Sequence, residues 1–118
     1  MDSRVVWVMC GDAEMRRLIE LNLRKRALCC RPAPSLDGSQ PLAERPDVII
    51  LDVGPPAGPG WQTARALRGA RGLEGVPIIL LVEAAPPASR LAELGPVRLA
   101  RKPLAMDELL ALVRQCLV

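Results

Sequence analysis

The chain has 118 residues, half of them hydrophobic, with 16 Lys and Arg against 13 Asp and Glu, a net charge of +3 and no His. That is one domain of ordinary size, spanning 1–118, with enough apolar material for a real core. No apolar run approaches the ~20 residues of a membrane span, no secretory signal is recognisable, and so small a charge gives no argument for nucleic acid, so a cytoplasmic chain without membrane or direct nucleic-acid contact is expected.

In chain order, Arg4 to Cys10 is a short Val-rich run with a Gly-Asp stop, and reads as a buried strand. Asp12 follows as the N-cap of a helix with Met15, Leu18, Ile19 and Leu23 on one face and Asn22 near the middle of that stripe, fading by Ala27. Leu28 to Arg31 is a short second strand. Residues 32 to 46 hold four Pro and one Gly, with a weak helix near Pro41 to Glu44. Asp47 to Asp52 is the third strand, followed by a loop from Val53 to Gly60 with three Pro and three Gly. Trp61 opens a helix to about Ala70, with Ala64, Leu67 and Arg68 inward. Val76 to Val82 is a near-continuous apolar strand, and Ala84 to Pro87 a break. Ala88 to Leu94 is a short helix stopped by Gly95-Pro96, and Val97 to Ala100 a fifth strand. Met106, Leu109, Leu110, Val113 and Leu117 form a helical stripe to the end, with Asp107 and Glu108 in the first turn, where the helix dipole favours them.

Strand and helix thus alternate five times, which predicts a parallel sheet with helices on both faces. Right-handed crossovers give the flavodoxin-like doubly wound α/β fold, five strands in the order 2-1-3-4-5. The cysteines, Cys10, Cys29, Cys30 and Cys116, show no metal-ligand spacing, and Cys29 and Cys30 on one strand point to opposite faces; free thiols are expected. Flavin is disfavoured, with no Ser/Thr-rich loop after the first strand and no Tyr to stack. Arg16, Arg17, Arg24, Lys25, Arg26 and Arg31 have only Glu20 among them; they read as a solvated helix face, or alternatively as a docking patch for an acidic partner.

Two residues carry the chemistry. Asp52 closes the run Val48-Ile49-Ile50-Leu51 at the mouth of a buried strand, where open α/β sheets place their sites. Lys102, before Pro103, ends the last strand fifty residues on. An Asp and a Lys at two strand ends of one sheet point to a phosphoryl or anion site.

With these anchors, with Glu14-Met15-Arg16-Arg17 after the first strand, Pro46-Asp47 before the third, and Pro56 and Gly60-Trp61 after it, the chain resembles the receiver domain of two-component response regulators from Val5 to Leu117. The resemblance implies that Asp52 is the position that accepts a phosphoryl group from a histidine kinase. It implies an acidic pair after the first strand that holds Mg²⁺ with Asp52 and the Gly54 carbonyl, a Thr or Ser at the end of the fourth strand, an aromatic switch on the fifth, Lys102 as the phosphate partner, and a cis peptide at Lys102-Pro103. Here the acidic pair is Cys10-Gly11 with Asp12 one place later, the hydroxyl position is Val82 and the aromatic position is Leu99.

Cys10 is a poor Mg²⁺ ligand and Gly11 offers no side chain, so no cofactor is expected beyond a weak Mg²⁺ site built from Asp12, Asp52 and Gly54. The expectation is a pseudo-receiver in phosphorelay signalling: no enzyme in its own right, but a phosphorylation-independent module that binds a histidine kinase or a downstream signalling protein. It would be a monomer or a weak dimer through the face made by the 88–94 helix, the fifth strand and the last helix, with Arg90, Arg98, Arg101 and Leu112. The alternatives are a degenerate but working phosphoacceptor at Asp52, with Asp12 drawn into the metal site, and a redox sensor built on Cys10.

Overall fold

The structure is a computed structural model that describes residues 4–33, 44–55 and 58–118. The chain runs β1 (Val5–Met9), α1 (Ala13–Arg24), β2 (Cys29–Arg31), β3 (Val48–Gly54), α2 (Gly60–Gly69), β4 (Ile78–Val82), α3 (Ala88–Ala92), β5 (Val97–Arg101) and α4 (Met106–Cys116). The five strands form one parallel sheet in the order β2-β1-β3-β4-β5. The expected order is therefore observed. The weak helix expected near Pro41 to Glu44 lies, apart from Glu44, outside the described residues.

The strands read as continuous apolar runs because both faces of the sheet are covered. Side chains alternate across it with period two. Trp7, Ile49, Leu51, Ile78 and Leu80 pack on the side of Trp61, Ala64 and Leu67 from α2. Val6, Val8, Ile50, Ile79 and Leu81 pack on the other side, against Ile19 and Leu23 of α1 and Leu109 and Val113 of α4. Cys29 joins the first cluster and Cys30 the second, as opposite faces require, and all four cysteines are free.

The inner stripe of α1 is narrower than its sequence pattern. Ile19 and Leu23 are buried and Met15 half-buried, but Leu18 is 52% exposed. At about 100° per residue, Met15, Ile19 and Leu23 share one narrow arc and Leu18 lies outside it. Asn22, on the border of the arc, is half-buried and donates from its side-chain amide to the Leu18 carbonyl (2.9 Å). The helix ends where Ala27 turns left-handed (φ 61°) and the Leu28 N–H closes back on the Leu23 carbonyl.

Two side chains tie loops to this frame. Asp47 accepts the Val5 N–H (2.8 Å) while its own N–H donates to the Val5 carbonyl, which fixes the start of β3 against that of β1. Arg68 donates to the carbonyls of Leu94, Leu73 and Val76, joining the end of α2 to the turn before β4 and the turn before β5. Burial lowers the Arg68 pKa, a cost that three carbonyl acceptors offset.

The loop after β3 crosses close over that strand. A Cβ on Gly60 would stand 2.0 Å from the Val53 carbonyl oxygen, a backbone atom with no freedom to move aside. Gly60→Ala is expected to destabilise the fold by about 2–4 kcal/mol, seen as a lower urea midpoint with an unchanged slope.

Candidate functional site

β3 carries Val48, Ile50 and Asp52 on one face, and the last of these emerges at the C-terminal edge of the sheet. The same alternation brings Cys10 out beyond β1, in line with Val6 and Val8, and Lys102 beyond β5, in line with Ala100. The Lys102 N–H donates to the Val82 carbonyl (2.8 Å), which extends the β4–β5 pairing by one residue and holds the lysine over the sheet edge. The Lys102-Pro103 peptide is cis.

Lys102 Nζ lies 2.9 Å from both carboxylate oxygens of Asp52. The Gly54 N–H donates to Asp52 Oδ1 at 2.9 Å, at the point where the β3–β4 register shifts and Gly54 takes a positive φ of 69°. The Cys10 thiol lies 3.7 Å from Asp52 Oδ2 and equally far from the Asp12 carbonyl. The Asp52 side chain is only 12% exposed and that of Lys102 23%. A carboxylate so enclosed needs its charge met, and here three donors meet it.

Asp12 is turned away from this cluster. Its Oδ1 accepts the N–H groups of Glu14 (3.0 Å) and Met15 (3.2 Å), the N-cap role its position implied. Gly11 is exposed. Val82 is 2% exposed within the cluster on the α2 side, and Leu99 packs against the same cluster. Arg16, to which the sequence assigns no role at the site, donates to the Cys10 carbonyl at 3.2 Å. The Gly54 amide was also missed as a donor; Asp-x-Gly at a strand end is the signal that pointed to it.

Mg²⁺ demands near-octahedral oxygen donors. The position before Gly11 holds a buried thiol, the Asp12 carboxylate is engaged in capping, and no group of three or more His, Cys, Asp or Glu is placed to share a cation among the described residues. These residues do not fit the magnesium site that the resemblance implies. The Cys10 thiol is equally unsuited to ready oxidation: burial pushes its pKa up, the Asp52 charge adds to that, and the Asp12 backbone offsets only part of it.

No family model matches the sequence, and no curated protein matches it. Solved structures do match the fold. The chemotaxis protein CheY4 of Vibrio cholerae superposes with a TM-score of 0.79 at 21% identity, over 98% of this chain and 99% of that one. A response regulator receiver protein from Pseudomonas putida gives 0.75 at 22%, over 98% of each chain. The receiver domain of the sensor histidine kinase PA1611 from Pseudomonas aeruginosa, a structure with a magnesium ion coordinated in its active-site cleft, gives 0.75 at 20%, also over 98% of each. The fold is therefore the CheY-like receiver fold of response regulators, flavodoxin-like in topology.

Two outcomes follow from the geometry. Lys102→Met strands a largely enclosed carboxylate and is expected to cost about 2 kcal/mol, whereas the Asp52→Asn/Lys102→Met double variant regains most of it; urea unfolding of the cycle measures the coupling. Asp52→Asn removes a negative charge beside Cys10, so the thiol pKa falls and alkylation of Cys10 by iodoacetamide at pH 8 speeds up several-fold, read by peptide mass spectrometry.

Proposed function

We propose that this chain is a signalling interaction module of the receiver type, working in two-component signal transduction without a phosphorylation switch. The observation that carries this reading is the engagement of both Asp52 oxygens by Lys102, with the Gly54 amide and the Cys10 thiol completing the shell. An acceptor carboxylate has to present one oxygen as nucleophile while a cation neutralises charge on the phosphoryl oxygens. Here the available cation is already spent on the carboxylate.

The second support is at Val82, where the resemblance implies a hydroxyl to bond the phosphoryl group. A methyl group offers no hydrogen bond, and leaving a charged oxygen without one in an apolar setting costs about 2 kcal/mol or more. Function then rests on surfaces. The partner is a histidine kinase or a downstream signalling protein, met through the face made by α3, β5 and α4, where Arg98 and Arg101 are exposed and Arg90 half-buried over the Trp61 ring (5.1 Å).

Intact mass after incubation with a small-molecule phosphodonor and Mg²⁺ tests the reading, with Asp52→Asn alongside and circular dichroism to show both folded. No phosphoryl adduct on either protein is the expected result. An adduct on the wild type alone would overturn it in favour of a working phosphoacceptor at Asp52.

A further inference from the structure

The end of the sheet opposite Asp52 holds an open groove of about 460 Å³. It lies between the C-terminal ends of α1 and α4, where Arg4 leads into β1 and Leu28 into β2. Its apolar lining is Leu28, Leu110, Val113, Leu117 and Val118. Its polar side chains are all cationic, from Arg4, Arg26 and Arg114. We propose that this groove binds a medium-chain aliphatic carboxylate, the alkyl chain along the leucine and valine floor and the carboxylate on the Arg26 and Arg114 guanidinium groups.

The composition of the lining selects the ligand. A pocket of this size with a mostly apolar wall and a few convergent polar groups is the usual form of a small-molecule site. No aromatic ring lines it, so a flat heterocycle gains no stacking. No hydroxyl, amide or carboxylate side chain lines it, so a sugar or polyol finds no side-chain acceptor. Guanidinium and branched aliphatic groups alone remain, which suit an anion with a saturated body.

Electrostatics decides the sign. The C-terminal ends of two helices disfavour an anion, with about half a negative charge each. Three arginines exceed that sum, so the groove stays net positive. Arg4 already interacts within the molecule, so Arg26 and Arg114 carry the recognition. Arg26 uses one N–H on the Asn22 carbonyl (3.3 Å), at its own helix end, and Arg114 has no hydrogen-bonded or ionic partner among the described residues.

Isothermal titration of the full chain with decanoate, decyltrimethylammonium and acetate tests this. Decanoate is expected to bind one-to-one with Kd on the order of 0.1 mM, with the cationic analogue and acetate each at least roughly tenfold weaker. Arg26→Glu/Arg114→Glu, both on the surface, should weaken decanoate about tenfold, while Arg71→Glu, an exposed arginine outside the groove, leaves it unchanged. Absence of decanoate binding, equal binding of the cationic analogue, or equal losses in Arg71→Glu and the groove variant would each overturn the proposal.

Discussion

A carboxylate at the end of a fully buried strand is a debt the rest of the sheet has to settle. Asp52 follows four residues that are 0–3% exposed, and its own side chain is 12% exposed. Left alone, that charge would oppose folding by several kcal/mol. Lys102 answers it from two strands away, and it arrives only because β4 lies between β3 and β5 in register: Gly54 pairs with Val82, and Val82 with Arg101. The ion pair therefore depends on the whole order of the sheet, and a slip of one residue in β5 would turn Lys102 to the other face.

How much of this could be read in the sequence follows from which interactions are periodic. The strands and the order of the sheet come from apolar runs separated by helical stripes, and those signals are strong. Asp52 and Lys102 stood out because a charge at the end of an apolar run breaks the pattern. Leu18 misled because a stripe drawn from residue types is wider than the arc that meets the sheet. Arg68, Arg16 and the Gly54 amide left weaker marks. A side chain that donates to main-chain carbonyls writes nothing periodic into the sequence, and a backbone amide shows only through the glycine that turns it.

Asp12 and Asp52 show why position in sequence does not assign a role. Both are aspartates at the C-terminal edge of the same sheet. Asp12 sits one residue before a helix, so two free N–H groups of the first turn are its nearest donors, and it takes them. Two residues after Asp52 stands a glycine with positive φ, which turns its amide back onto the carboxylate instead of starting a helix. One aspartate is thereby committed to a helix terminus and the other to a lysine, and no third carboxylate joins them among the described residues.

A ligand or modification shifts a conformational equilibrium only by as much as it favours one state over the other. In a switching domain the modified group must reach something with two resting positions. In this chain Val82 is 2% exposed in the core, with no polar atom beyond its backbone, and Leu99 packs against the same cluster. Neither residue has a hydrogen bond to gain by moving, and close-packed interiors resist movement without gain. Any event at Asp52 would first have to break the Lys102 pair, and neither the Val82 nor the Leu99 side chain has a polar atom with which to answer it. Under the function we propose, the domain conveys information by which surfaces it presents and what those surfaces bind, and control comes from competition for those surfaces.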